Sequence, residues 1–271
     1  MAIQIFKDEY PKKFLHQLIS SQLDMDRLDY LNRDSFFTGV HEGVVGYHRL
    51  IQMLSVYDNE LVVEEKGILS IEKFLVARRM MYWQVYLHKT VLSAEQMLIR
   101  AFRRAKDLAN AGFDLQVPKS LALFLNHEIR REDFVKNRDL LLDNFARLDD
   151  FDIVSALKNF QECGDRLLAF ISHSIIDRRL FRLILQNEPF TQAEIRTVEE
   201  QVKKEYSFSK EEIPYLVFSG HETNAAYSTS KAEINILLKD GSVKPMSEVS
   251  DYQVQSKLIT KYYLCYPKSP A

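Results

Sequence analysis

One acidic, arginine-containing stretch near the N-terminus concentrates side chains that could do chemistry. Asp26, Tyr30 and Asp34 are spaced four residues apart, so a helix there projects all three from one side. Arg27 and Arg33 flank them. Acids, a phenol and guanidinium groups together could hold a metal ion, a sugar hydroxyl and phosphate oxygens. From spacing alone, the alternative is a solvated helix face held by charge pairs.

A second set of side chains repeats this spacing farther along the chain. Arg78, Tyr82 and Tyr86 again fall on one helical face. A guanidinium can bind a phosphate bidentately, and a phenol can stack on a base or hydrogen-bond an oxygen. Without further information, an aromatic core stripe beside an arginine that reaches solvent explains the pattern equally well.

Helices must position both sets. Eight glycines and seven prolines in 271 residues leave long stretches of helical periodicity. We predict one helix or two over residues 11–39, a hairpin over 54–63, and a helix over 71–89 with Ser70 as its N-cap. Composition changes near residue 180, which places a boundary near 176–180. The predicted fold is mainly α: a helical domain over 1–178, followed by a smaller α+β region over 179–271.

Composition excludes several classes of protein. Lys+Arg is 36 and Asp+Glu is 38, so the net charge of −2 gives no strong signal for nucleic acid. No apolar run approaches the ~20 residues that span a bilayer, and a signal-peptide core is absent from the first ten residues. Two cysteines, Cys163 and Cys265, are too few for a disulfide framework or a cysteine-rich zinc site. We expect a cytoplasmic protein that does not bind membranes.

A basic run within the predicted helix over 94–111 allows two interpretations. Its members are Arg100, Arg103, Arg104 and Lys106, with Glu95 and Asp107 as balancing acids. A solvated helix face is the simpler interpretation, and phosphate contact is the alternative.

Two segments resemble a known family. The run Ser21-Gln-Leu-Asp-Met-Asp-Arg-Leu-Asp-Tyr-Leu-Asn-Arg-Asp34, followed by Phe37-Thr-Gly39, resembles the downstream signature of HD-domain phosphohydrolases, especially the deoxynucleoside-triphosphate triphosphohydrolase (dGTPase-like) branch. Residues 77–89 resemble the Arg-x3-His-x3-Tyr helix of that family, with Tyr82 at the histidine position. A third, weaker match extends from residues 148–150 to residues 176–181. The resemblance as a whole covers most of residues 10–185.

The resemblance assigns roles to individual residues. It implies that Asp26 is the last of four ligands to a divalent metal (Mn, Mg, Fe, Ni or Zn). It also implies that Arg27 and Tyr30 approach the phosphates of a deoxynucleoside triphosphate and that Asp34 approaches the sugar 3′-hydroxyl. The remaining implied substrate-binding residues are Arg78, Tyr82 and Tyr86. An acid–base role is not expected of Tyr82, because an unperturbed tyrosine titrates near ~10.

The resemblance also implies a regulatory site and an oligomer. In tetrameric relatives, residues matching Arg49, His88, Lys89 and Arg178 lie at nucleotide activator sites between subunits. We therefore expect a homo-oligomer, a dimer or a tetramer. The alternative is that these four residues are ordinary surface cations.

The family's other metal ligands, a His and a His-Asp pair, have no counterpart. The sequence contains no His-Asp dipeptide, and only 25 residues precede Asp26. We expect the chain to be the downstream portion of a longer phosphohydrolase, with its helical domain lacking the upstream segment. The chain alone is then predicted to have little triphosphohydrolase activity, because one carboxylate cannot hold a catalytic metal. The alternative is a non-catalytic nucleotide-binding or assembly module that needs a partner chain.

Overall fold

Helical periodicity in the first third of the chain forms helices in the computed structural model, which describes residues 1–224, 233–251 and 258–269. The segment over 11–39 forms two helices, and Gly39 ends the second with a positive φ of 72°. The helices here are α1 (Ala2–Phe6), α2 (Lys13–Gln17), α3 (Met25–Thr38), α4 (Tyr47–Met53) and α5 (Ile68–Met81).

A small mixed sheet packs with these helices. The predicted hairpin is confirmed as β1 (Leu54–Tyr57) and β2 (Glu60–Glu64), joined by Asp58 and Asn59, both with positive φ. Strand β2 also pairs in parallel with a later strand, placing Val63 opposite Ile236.

The helix predicted over 71–89 differs from its prediction in two ways. It begins at Ile68 with Gly67 as N-cap, so the proposed Ser70 cap is wrong; the extra turn lets Ile68 pack on the buried core. From Tyr82 to Tyr86 the chain continues as a π-helix, in which the amide of Leu87 bonds to the carbonyl of Tyr82 (2.7 Å).

The next part of the chain is a helical assembly. Its helices are α6 (Lys89–Asn110), α7 (Lys119–Asn126), α8 (Arg131–Lys136), α9 (Arg138–Ala146), α10 (Asp150–Gln161), α11 (Arg166–Ile176), α12 (Gln192–Tyr206) and α13 (Ile213–Leu216). Helices α10 and α11 are separate because Asp165 caps α11. Helices α6, α10 and α11 pack together around residues such as Phe160 and Leu167, which are fully buried.

The remaining elements lie in the C-terminal third. They are β3 (Arg182–Gln186), β4 (Phe218–Asn224), β5 (Asn235–Leu237), β6 (Val243–Pro245), α14 (Met246–Val249) and β7 (Ile259–Tyr266). The two sheets have the strand orders β1-β2-β5-β6 and β3-β7-β4. The prediction of a mainly helical fold with a smaller α+β C-terminal region is confirmed.

The structure groups these elements differently from the predicted domains over 1–178 and 179–271. One compact unit is Met1–His88 with Glu222–Thr260, and the other is Lys89–His221 with Lys261–Ala271. The reason is long-range pairing: β5 completes the sheet of the first unit through β2, and residues 262–266 of β7 pair with β3 in the second. The helices that the structure describes include none with the length and hydropathy needed to span a lipid bilayer.

Candidate active site

The start of α3 positions the first site residue, Arg27. The Asp24 carboxylate accepts a hydrogen bond from the Arg27 amide (2.9 Å) and thereby caps the helix. Asp24 is only 2% exposed, and its carboxylate also forms an ion pair with the Arg27 guanidinium. One residue therefore fixes both the first turn of the helix and its first cation.

Three tyrosines from α3 and the π-helix form a single aromatic cluster. The ring centroids of Tyr30 and Tyr86 lie 5.8 Å apart, and those of Tyr82 and Tyr86 lie 5.3 Å apart. Both pairs are edge-to-face, a favourable arrangement of aromatic rings. The structure thus brings together two sets of residues that are about fifty positions apart in the sequence.

Arg78 adds a buried positive charge to this cluster. Arg78 is only 9% exposed, and its Cζ lies 5.8 Å from the Tyr82 ring centroid. Its Nη1 donates a hydrogen bond to Gln22 Oε1 (3.3 Å), while its Nε is buried without a hydrogen-bond partner among the described residues. No described carboxylate forms an ion pair with Arg78. A buried guanidinium without a carboxylate is costly unless an anion binds there, which marks Arg78 as a candidate ligand-binding group.

The phenols of Tyr30 and Tyr86 stay protonated at neutral pH and so act as hydrogen-bond donors. Burial and the neighbouring Tyr82 raise the pKa of Tyr30 to about 12, although the charges of Arg78 and Arg27 oppose the rise. Burial, followed by a hydrogen bond to Asp34, raises the pKa of Tyr86. Neutral phenols beside two guanidinium groups can bind phosphate oxygens.

Asp34 stands at the edge of the cluster. The Tyr86 hydroxyl donates a hydrogen bond to Asp34 Oδ2 (2.8 Å), and Arg33 Nε lies 3.8 Å from its other carboxylate oxygen. The Asp34 side chain is 33% exposed. It can therefore accept a hydrogen bond from a ligand hydroxyl while Tyr86 orients it.

The predicted metal ligand, Asp26, is exposed on the first turn of α3. Its carboxylate has no hydrogen bond or ion pair to any described residue. Among the residues that the structure describes, no group of three or more His, Cys, Asp or Glu side chains could hold a metal ion. A single carboxylate does not fit a divalent-metal site, so the described donors do not form one by themselves.

The four residues predicted for an activator site are exposed and divided between the two units. Arg49 and His88 belong to the first unit, where Arg49 Nη2 donates a hydrogen bond to the Lys66 carbonyl (3.5 Å). Lys89 and Arg178 belong to the second, and Arg178 has a positive φ of 58°. A common activator site for these residues stays a prediction.

Sequence reasoning missed the contributions of Asp24 and Gln22. The signal for Asp24 was present, because an aspartate directly before a periodic run is a typical helix N-cap. No local pattern indicates Gln22, which reaches Arg78 across 56 positions of sequence.

Comparison with known proteins gives the family. Residues 45–116 match the family model described as "HD associated region". A crystal structure of a phosphohydrolase from Bacteroides thetaiotaomicron superposes with a TM-score of 0.93 at 47% identity, covering 98% of this chain and 67% of that one. The chain belongs to the HD-superfamily phosphohydrolases.

Other relatives of this HD-superfamily member are more distant. Protein YwfO of Bacillus subtilis is 26% identical over 98% of this chain and 60% of its own length. A protein of Dictyostelium discoideum named as a deoxynucleoside triphosphate triphosphohydrolase SAMHD1 homolog is 26% identical over 48% of this chain and 26% of its own length. The chain spans 56–60% of the first curated relatives that it matches. HD phosphohydrolases generally use divalent metal ions.

Proposed function

We propose that the cluster of Arg27, Tyr30, Arg78, Tyr82 and Tyr86 binds a deoxynucleoside triphosphate. The observation that carries this proposal is the buried Arg78 guanidinium, which lies beside neutral phenols without a carboxylate partner among the described residues. An anionic, oxygen-rich ligand such as a triphosphate supplies what Arg78 lacks. The Dictyostelium relative, named as a deoxynucleoside triphosphate triphosphohydrolase SAMHD1 homolog, supports this substrate class.

Each residue has a part in binding the substrate. Arg78 and Arg27 neutralise phosphate charge, and charge developing on those oxygens during hydrolysis increases the same attraction. Tyr30 donates a hydrogen bond from its phenolic hydroxyl to a phosphate oxygen, and Asp34 accepts a hydrogen bond from the sugar 3′-hydroxyl. The rings of Tyr82 and Tyr86 present a surface on which a base can stack. The proposed reaction converts a deoxynucleoside triphosphate and water into a deoxynucleoside and triphosphate.

Hydrolysis in this family also needs more metal ligands than the described residues supply. We propose that Asp26 is one ligand and that the others belong to a segment outside this sequence, as the greater length of the relatives supports. The chain alone is then expected to bind deoxynucleoside triphosphates while showing little or no hydrolysis with manganese. Hydrolysis of dGTP by the purified chain at ordinary enzyme rates would contradict this part of the proposal.

A second candidate is a non-catalytic nucleotide-binding or assembly module that works with a partner chain. It is favoured because the described residues include no group of three or more metal-ligating side chains. Metal analysis by mass spectrometry separates the candidates. A site completed within one longer polypeptide gives near-stoichiometric metal in that polypeptide, whereas the module acquires metal only when its partner is added.

Substitution of Arg78 tests the binding proposal. We expect Arg78→Ala to weaken dGTP binding, measured by isothermal titration calorimetry in EDTA, by about tenfold or more, because a charge-assisted contact with phosphate is lost. Tyr30→Phe removes one hydroxyl and should weaken binding by about tenfold.

The neighbouring Arg79→Ala provides the matched control, since it removes the same charge from α5. Its affinity for dGTP should stay close to that of the wild-type chain. Thermal unfolding of each variant checks that the fold is retained. If Tyr30→Phe and a folded Arg78→Ala both bind dGTP as the wild-type chain does, the proposed site is wrong.

A further inference from the structure

A groove in the second unit contains none of the residues of the proposed deoxynucleoside-triphosphate site. It is lined by residues of α6, α7 and α13 together with Glu211, and its volume is about 790 Å³. Pockets for small molecules commonly have volumes of ~300–1,000 Å³. The apolar part of its lining is Ile99, Phe102, Phe124, Leu125, Pro214 and Tyr215.

Two of the four cations in the basic run of α6 already have protein partners. Arg104 forms a forked ion pair with Asp165, with nitrogen–oxygen distances of 3.2 and 2.5 Å. Lys106 Nζ donates hydrogen bonds to the Phe124 carbonyl (2.6 Å) and to the carbonyl of His127. These two residues therefore hold α6 to its neighbours.

The other two cations, Arg100 and Arg103, line the groove without such partners. The Nε of Arg100 is buried and has no hydrogen-bond partner among the described residues, while its Cζ lies 4.5 Å from the Phe218 ring centroid. Arg103 is exposed and forms no ion pair with the part of the chain that the structure describes. Burial, followed by the positive charge of Arg103, lowers the pKa of Arg100. Two guanidinium groups that repel each other are stabilised by an anion placed near both.

The acidic residues of the groove are hydrogen-bonded within the protein. The Tyr215 hydroxyl donates a hydrogen bond to Asp107, and the Glu211 carboxylate interacts with Ser209. The lining carries three cations and two such acids, so its charge is positive. The groove therefore favours binding of an anion near Arg100 and Arg103.

We propose that this groove binds a small organic anion with a flat apolar ring. The anionic group lies at Arg100 and Arg103, and the ring lies against Phe102, Phe124 and Tyr215. Such a ligand matches both halves of the lining, because guanidinium groups bind oxyanions and aromatic walls bind a ring. The groove and the proposed deoxynucleoside-triphosphate site share no residue.

Phenyl phosphate is the probe, with inorganic phosphate and benzyl alcohol as its separate halves. Amide chemical shifts of the full chain are recorded by NMR during each titration. We expect phenyl phosphate to shift amides within residues 99–107 and 211–215 and to bind more tightly than either half. The proposal is overturned if those amides do not move, or if inorganic phosphate binds as tightly as phenyl phosphate.

Three variants test the geometry. Arg103→Ala should weaken phenyl phosphate binding about fivefold or more, because one guanidinium contact is lost. Ile99→Trp should abolish it by filling the groove while leaving every cation in place. Arg196→Ala, at an exposed position of α12, removes the same charge elsewhere and should leave the affinity unchanged. An equal loss in Arg196→Ala and Arg103→Ala, or full affinity in a folded Ile99→Trp, would refute the site.

Discussion

At the scale of single residues, two aspartates act both as helix caps and as partners of arginines. Asp24 caps α3 and pairs with Arg27, and Asp165 caps α11 and pairs with Arg104. In both cases the carboxylate interacts favourably with the positive end of the helix dipole and also neutralises the charge of an arginine. Arg78 has no such partner among the described residues, which is why it is the candidate for ligand binding.

The charge of Asp165 makes stability depend on pH. Burial alone would raise the pKa of Asp165, but hydrogen bonds from Arg104 and the Leu168 amide bring it below its usual value. A carboxyl with a lowered folded-state pKa stabilises the fold above its unfolded pKa of ~3.9, and this stabilisation is lost as pH falls through the folded-state value. We expect Asp165→Asn to reduce the free energy of unfolding by about 1–3 kcal/mol at pH 7.

Urea denaturation between pH 7 and pH 3 measures this difference. The gap between wild type and Asp165→Asn should shrink below about pH 4, where the wild-type carboxylate also becomes neutral. Asp143→Asn, at an exposed position of α9, should show almost no gap at any pH. A gap that stays constant down to pH 3 would contradict the assignment.

At the scale of elements, the site depends on how closely α5 approaches the turn that follows α3. A Cβ added to Gly43 would lie 2.5 Å from Met81 Sδ and 2.9 Å from Ser35 Cβ. Gly43 thus allows the end of α5, just before the π-helix, to pack against α3. π-helical turns are frequent at functional sites, and this one carries Tyr82 and Tyr86.

Gly43→Ala tests that packing. The added methyl group forces Ser35 or Met81 to move, and overpacking of this kind costs ~1–3 kcal/mol of unfolding free energy. Gly46→Ala is the matched control, because nothing lies within 4 Å of its Cβ position. We expect only Gly43→Ala to lower the stability clearly and also to weaken dGTP binding. Equal stability of the two variants in urea denaturation would show that Met81 and Ser35 do not pack tightly against Gly43.

At the scale of the whole molecule, each compact unit is built from segments that are distant in the sequence. Ile236 and Met246, both fully buried, belong to the core of the first unit together with Leu31 and Phe74. The parallel pairing of β2 with β5 joins these segments. A boundary at residue 178 would separate side chains that share one core.

A fragment of residues 1–178 tests this organisation. It lacks β5, β6 and α14, and with them the buried apolar side chains of the first unit's core, so we expect no cooperative thermal unfolding of that unit. NMR spectra should show poor amide dispersion for residues 1–88 in the fragment and good dispersion in the full chain. A fragment that unfolds cooperatively, with native-like spectra for 1–88, would contradict the division.

The sequence predicts which candidate-site residues share a helical face, because they are spaced four residues apart. The positions of Tyr30 and Asp34 on one face, and of Arg78, Tyr82 and Tyr86 on another, follow from helical periodicity alone. The hairpin at Asp58 followed from local turn preferences.

Periodicity also predicted most of the helices and the mainly α fold, because the apolar spacing that selects a helix is contained in each segment. The meeting of the two tyrosine sets and the burial of Arg78 beside Gln22 depend on packing between segments that are far apart. So do the two units, which exist because strands near the C-terminus complete sheets begun much earlier in the chain. Local pattern decides which helix forms and which face is polar, whereas only tertiary structure decides which faces meet.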